Sequence, residues 1–165
     1  MKCSKNTMLL YAVTNSKLVS KLPLIEQVEL ALKGGITCLQ LREKELDEAS
    51  FLAEAIEIKK MCEKYHVPFI INDNVNVAIK CGADGVHVGQ SDMEVSEVRK
   101  LVGDNMIIGV SAHTVQEAKL AEAGGADYLG VGAIYQTTTK QDATYVSLNE
   151  LKRICNSVKI PVVAI

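Results

Sequence analysis

The chain has 165 residues, 48% of them hydrophobic and 23% charged, with a formal net charge of -2. That composition describes a single globular domain spanning 1–165 with enough apolar residues for a sizeable core. It gives no electrostatic footprint for nucleic acid, and no apolar run approaches the roughly 18 residues that a membrane span needs.

Short β-like runs alternate with helical patterns along the chain. Met8 to Thr14 is the first strand pattern. Pro23 opens a helix carrying Leu24, Ile25, Val28, Leu30, Ala31 and Leu32, closed by Gly34 and Gly35. Cys38 to Lys44 is a second strand, after which Asp47 caps a long helix reaching about Tyr65. Pro68 to Asp73 and Gly85 to Gln90 form the third and fourth strands, with room between them for one crossover helix. Glu94 to Val102 is helical and Met106 to Ala112 is the fifth strand. Thr114 and Glu117 make a capping box for a helix that ends at Gly124 and Gly125. Tyr128 to Ile134 is the sixth strand. Ser147 and Glu150 make a second capping box, for a helix to about Val158, and Pro161 to Ile165 begins a seventh strand.

No secretory signal pattern follows the first residues. The cysteines, Cys3, Cys38, Cys62, Cys81 and Cys155, are scattered and include no pair spaced for a metal. Such a set reads as reduced thiols in a cytoplasmic protein.

Strict β-then-α alternation leaves a doubly wound open sheet or a (β/α)8 barrel. Length favours the open sheet, since barrels usually need at least about 200 residues. The second strand favours the barrel. Period-two alternation puts Gln40, Arg42 and Lys44 on one face and Leu39 and Leu41 on the other, whereas central strands of open sheets are apolar on both faces. Gly130 and Gly132 repeat the argument on the sixth strand, where missing side chains leave space for a ligand. The expectation is an α/β TIM barrel truncated after its seventh strand, and therefore a protein that continues beyond Ile165.

Chemistry gathers where strands three and four end. The βαβ unit from Phe69 to Asp92 puts Asn72, Asp73 and Asp92 at one end of the sheet. Two carboxylates there suit magnesium and a phosphorylated ligand. Asn72–Asp73 or Ser91–Asp92 taken singly reads more readily as a helix N-cap, and it is their occurrence in consecutive βα loops beside cations that favours a metal site. Arg42 and Lys44 suit a polyanion. Ser111 is a cap or a ligand contact, and Thr137, Thr138, Thr139 and Lys140 offer hydroxyls, amides and a cation in one loop. His87, between Val86 and Val88, reads as an interior structural histidine, and His66 and His113 as surface or loop residues. No nucleophile–base pair, dinucleotide fingerprint or P-loop is present.

As a set these motifs resemble one family, thiamine phosphate synthase. The stretches that carry the resemblance are Gln40–Lys44 (QLREK), Ile71–Asp73 (IND), Gly85–Asp92 (GVHVGQSD), Gly109–Ser111 (GVS), Gly125–Tyr128 (GADY) and Thr137–Lys140 (TTTK). The resemblance implies a magnesium-dependent transferase that joins a pyrimidine-methyl pyrophosphate to a thiazole phosphate, yielding thiamine phosphate and pyrophosphate. It assigns Arg42, Lys44, Asn72 and Lys140 to the pyrophosphate, with Leu41 and Glu43 in the same segment. Gln40 and Ser111 go to the pyrimidine, Thr137, Thr138 and Thr139 to the thiazole phosphate, and Asp73 and Asp92 to Mg2+. Arg42, Lys44, Ser111 and Lys140 are the expected catalytic set. Pyrophosphate is implied to leave first, so no catalytic histidine or cysteine is required. The partners are small molecules, with neither nucleic acid nor membrane, and a homo-oligomer stays open.

Gln136 stands where family members often carry proline, so the threonine loop is expected to be less rigid. The alternatives are a thiazole tautomerase-like relative and a non-catalytic ligand-binding regulator on the same fold.

Overall fold

The computed structural model describes residues 3–16, 22–137 and 144–165. The order is β1 (Tyr11–Val13), α1 (Leu24–Lys33), β2 (Cys38–Leu41), α2 (Glu48–Lys64), β3 (Phe69–Asn72), α3 (Val75–Cys81), β4 (Gly85–Val88), α4 (Val95–Val102), β5 (Ile107–Ala112), α5 (Val115–Ala123), β6 (Tyr128–Val131), α6 (Leu148–Ser157) and β7 (Val162–Ala164). Each strand pairs in parallel with the next, so sheet order equals chain order.

The sheet is rolled. The hydroxyls of Tyr11 on β1 and Tyr128 on β6 are 2.6 Å apart, although five pairings separate these strands in the sheet. At about 4.8 Å per pairing, a flat sheet would hold them roughly 24 Å apart. The barrel expected from the second strand is therefore the architecture found, and the open sheet is excluded.

Strand alternation sorts the apolar residues into two cores. Leu39, Leu41, Phe69, Ile71, Ile108 and Leu129 pack outward against the helices. Cys38, Ile70, Ile107, Tyr128 and Val163 form an inner cluster, closed by Met8. Further along the strands the interior turns polar. Among the described residues the buried polar side chains are Thr14, Gln40, Asn72 and His87, all towards the strands' C-terminal ends. That end is where barrel chemistry is built.

The opposite end is held by a repeated turn. Gly35-Ile-Thr37, Gly82-Ala-Asp84 and Gly125-Ala-Asp127 each lead into a strand, and each glycine has positive φ, at 89°, 66° and 100°. A side chain at those angles would be strained, so glycine sets the turn. The third residue then reaches back to the preceding strand. Thr37 Oγ1 accepts from Leu10 N–H at 2.8 Å, Asp84 Oδ2 from Phe69 N–H at 2.9 Å, and Asp127 Oδ2 from Ile108 N–H at 2.8 Å.

The helix starts read from the sequence are borne out, but the return arms of the two capping boxes go elsewhere, Glu117 Oε2 accepting from His113 N–H and Glu150 Oε1 from Val115 N–H. Asp47 accepts from the amides of Ala49 and Ser50, Thr114 from Glu117 N–H and Ser147 from Glu150 N–H. The strands, however, are shorter than the apolar runs suggested. β2 stops at Leu41, because Arg42 N–H donates to the Thr14 hydroxyl at 2.9 Å instead of continuing the ladder. Arg42, Glu43 and Lys44 therefore lie in a loop, and the alternation argument holds for Gln40 alone. The glycines of the sixth strand are also corrected. A Cβ on Gly130 would lie 2.9 Å from His87 Cε1, and one on Gly132 would lie 2.2 Å from the Ile165 carbonyl oxygen. The chain's own atoms fill the spaces read as room for ligand. Among the described residues no helix is long and apolar enough to cross a membrane.

Candidate active site

Asp73 and Asp92 meet at the C-terminal mouth of the barrel. Asp73 follows β3 with a φ of 61°, a left-handed conformation that aspartate tolerates better than most residues. Its N–H donates to the His87 carbonyl at 2.8 Å. Its carboxylate pairs with Lys44 Nζ on one side and feels the charge of the neighbouring Asp92 on the other. Asp92 Oδ2 in turn accepts from Gly89 N–H at 2.7 Å. Burial, reinforced by the charge on Asp92, holds the Asp73 carboxyl above the usual range against the pull of Lys44. Neither aspartate is a helix cap. Asn74 caps α3 by accepting from Val77 N–H at 2.9 Å, and α4 has no side-chain cap at all.

Below this pair a chain of hydrogen bonds crosses the barrel interior. Gln40 Nε2 donates to the Tyr11 hydroxyl at 2.9 Å, and the Tyr11 and Tyr128 hydroxyls are 2.6 Å apart. Tyr128 Oη lies 2.9 Å from His87 Nδ1, and His87 Nε2 lies 3.0 Å from Ser111 Oγ. Gln90 Nε2 donates to the Ser111 carbonyl at 2.6 Å. Burial pushes both tyrosines well above the usual phenol range, so each keeps its proton. Gly109 makes room for the central pair, since a Cβ there would lie 2.1 Å from Tyr128 Cζ and 2.4 Å from His87 Nδ1.

The family described as thiamine monophosphate synthase matches residues 10–165. The chain belongs to this family. It is 54% identical over 156 residues to the thiamine-phosphate synthase of Clostridium acetobutylicum, covering 94% of this chain and 74% of that protein. The thiamine-phosphate synthase of Methanobrevibacter smithii is 49% identical over the same shares of the two chains. Among solved structures, a thiamine phosphate pyrophosphorylase from Pyrococcus furiosus superposes with a TM-score of 0.89 at 37% identity, covering 98% of this chain and 76% of that one. An N-acetylmannosamine-6-phosphate 2-epimerase from Clostridium perfringens, at 18% identity and a TM-score of 0.66, shares the fold alone.

Within this member of the thiamine monophosphate synthase family, the structure joins Lys44, Asp73 and Asp92 in one cluster and Gln40 and Ser111 at the two ends of another. Asn72 is buried on β3 beside His87, its register partner on β4. Arg42 is half-buried in the loop after β2. Two expected contacts point elsewhere. The Leu41 side chain is fully buried in the outer, helix-facing core, because strand alternation turns it away from the mouth. Glu43 Oε2 accepts from the Ser16 hydroxyl at 3.0 Å, towards the loop after β1. Thr137 is exposed after β6, while Thr138, Thr139 and Lys140 lie outside the described residues. His87 is interior, as its flanking valines implied. His66 is exposed, whereas His113 is half-buried against Glu117. Tyr11, Tyr128 and Gln90 had no role in the sequence reading. The available signal was that two tyrosines, in a chain with few aromatic residues, each open a strand.

Among the described residues no group of three or more histidine, cysteine or acidic side chains could cage a metal. The Asp73–Asp92 pair nevertheless fits magnesium. That ion is commonly bound through one or two carboxylates, with water and substrate phosphates completing its shell.

Proposed function

We propose that this protein is a thiamine-phosphate synthase. It couples 4-amino-2-methyl-5-(diphosphomethyl)pyrimidine to a thiazole phosphate, giving thiamine phosphate and pyrophosphate. The observation that carries this reading is the Lys44–Asp73–Asp92 cluster at the barrel mouth, in a chain whose relatives carry that name. Charge of both signs at one mouth suits a diphosphate and its counter-ion. A tautomerase has no pyrophosphate to manage and would leave the cluster without a task.

In the reaction the C–O bond of the pyrimidine methylene breaks, and both electrons leave with the pyrophosphate. Electron donation from the pyrimidine amino group sustains the methylene cation. The thiazole nitrogen then gives its lone pair to that carbon and becomes the thiazolium. Arg42, Lys44 and Lys140 meet the charge that grows on the departing group, with Asn72 as a polar contact. Asp73 and Asp92 would hold Mg2+, which supplies charge stabilisation at the phosphate oxygens. Gln40 and Ser111 fix the pyrimidine, and Thr137, Thr138 and Thr139 take the thiazole phosphate, so that the nitrogen approaches in line. The free cysteines, with Cys38 and Cys62 fully buried, suit a reducing compartment and a cytoplasmic enzyme.

Pyrophosphate release from the two precursors, with and without Mg2+, tests the reading. Magnesium-dependent release, lost in Asp73→Ala and in Lys140→Ala, is expected. Binding of the pyrimidine pyrophosphate without turnover would overturn it in favour of a regulator.

A further inference from the structure

Of the groups that the proposed chemistry leaves unused, the buried line from Tyr11 to His87 is the most demanding. It places two phenols and an imidazole end to end in the barrel interior, with His87 and Tyr128 at 5% and 0% exposure. A phenol has one proton to give, and its oxygen accepts. Tyr11 receives the Gln40 amide proton, which leaves the Tyr128 oxygen as the acceptor at hand for its own. Tyr128, having accepted from Tyr11, gives its proton to His87 Nδ1. An Nδ1 that accepts leaves the ring proton on Nε2, which faces Ser111 Oγ. Ser111 has then accepted a proton from the ring side, which leaves its own hydroxyl proton to donate away from the ring.

We propose that Tyr11, Tyr128 and His87 are positioning residues that fix Ser111 as a hydrogen-bond donor to the pyrimidine pyrophosphate. The proposal rests on the coupling reaction above for the identity of that substrate. The polarity has one origin, the Gln40 amide, and it joins the two residues that the pyrimidine touches, so binding at either end reinforces the same orientation. Two atoms of the substrate can accept from Ser111: a pyrimidine ring nitrogen or an oxygen of the leaving pyrophosphate. The first contact is present in the ground state and the second strengthens as charge develops, so kinetics separate them. A ring-nitrogen contact raises KM when lost, and a pyrophosphate contact lowers kcat.

The first experiment is the 15N spectrum of the wild-type histidines. With three histidines in the chain, His87→Gln assigns the signal by its disappearance. A pyrrole-type Nε2 and a pyridine-type Nδ1 are expected, with the preference weakened in Tyr128→Phe, where the donor to Nδ1 is gone. Kinetics follow on Tyr11→Phe, Tyr128→Phe, His87→Gln and His87→Leu. Each phenylalanine variant should lose roughly tenfold in kcat/KM, the low end for removal of an orienting partner. Glutamine keeps an N–H facing Ser111, so His87→Gln should retain clearly more activity than His87→Leu, which a merely space-filling role would not produce. An Nδ1–H ring in the wild type overturns the polarity. Unchanged kinetic constants in both phenylalanine variants overturn the positioning role. A wild-type chain with the Nε2–H ring but no coupling activity would refute the reaction, and with it the substrate named here, while leaving the polarity established.

Discussion

Asp84 and Asp127 do the same work at two places on the floor of the barrel. Each follows a Gly-Ala pair, and each uses one carboxylate oxygen for two donors. Asp84 Oδ2 accepts from Phe69 N–H and Lys59 Nζ, both at 2.9 Å. Asp127 Oδ2 accepts from Ile108 N–H at 2.8 Å and from Arg99 Nη2 at 2.6 Å. The arrangement locks the start of one strand to the turn that opens the next and ties in the helix that precedes both, α2 through Lys59 and α4 through Arg99.

Removing one of these anchors should destabilise without touching chemistry. Asp127→Ala strands a strand amide and the Arg99 guanidinium, which also donates to the carbonyls of Gly103, Met106 and Gly125. A lost charge-assisted bond of this kind costs about 2 kcal/mol, or roughly 4–8 °C in Tm for a chain of this size. Thermal unfolding should show that drop, with kcat at 25 °C unchanged. A fall in kcat would mean that the floor and the mouth are coupled.

Gly109→Ala should do the opposite, harming activity beyond its effect on stability. The new methyl would lie 2.1 Å from Tyr128 Cζ, and that ring is fully buried and has nowhere to retreat. Overpacking of this kind costs about 1–3 kcal/mol. The same displacement opens the Tyr128–His87 bond, so kcat/KM should fall by at least tenfold, as for loss of an orienting partner. Comparing Gly109→Ala with Asp127→Ala at matched stability separates the two effects. Equal activity in both variants would show that the interior bonds have no bearing on turnover.

The barrel was legible because alternation around Gln40 contradicted an open sheet, and the two carboxylates were legible because each ends a strand of one βαβ unit. The tyrosines were not, since Tyr11 and Tyr128 lie 117 residues apart and only closure of the barrel brings them together. The same closure explains the error at Gly130. A missing side chain reads as empty from one strand alone, but His87 on β4 reaches across the interior into that space. The anchoring turns were equally hidden, because Gly-x-Thr and Gly-Ala-Asp look like unrelated helix ends until their glycines are seen to share positive φ.

Glu54 offers a test in which pH is the variable. Burial, then the charges of Glu43 and Glu57, raises its carboxyl above the usual glutamate value. Its Oε2 and the Oε1 of Glu43 are buried with no hydrogen-bond partner among the described residues. A carboxyl whose folded pKa is raised binds more protons in the native state, so its penalty is absent below the unfolded value. The penalty grows as pH rises through the window up to the folded value and is complete above it. Glu54→Gln should therefore raise Tm at neutral pH, with the gain shrinking as pH falls through that window. A gain that is independent of pH would place its origin in packing and not in charge.

The Asp73–Asp92 pair should bind magnesium measurably even without turnover. In the presence of inorganic pyrophosphate, Mg2+ should raise the Tm of the wild type by an amount that grows with its concentration, as for any ligand of the native state alone. The Asp73 carboxyl is raised by burial and by Asp92, so protons compete for the site, and the magnesium-dependent gain should diminish as pH falls through the Asp73 value. Asp92→Asn removes one ligand charge and the repulsion that helps keep Asp73 protonated. Its Tm should respond little to Mg2+, and the Asp73 carboxyl, followed by 13C NMR, should titrate lower than in the wild type. Lys44→Ala is the counter-test, because it withdraws the cation that now pairs with Asp73. That variant should titrate higher at Asp73 and depend more strongly on Mg2+ for stability. If neither the wild type nor Lys44→Ala gains Tm with Mg2+, the carboxylate pair is not a magnesium site.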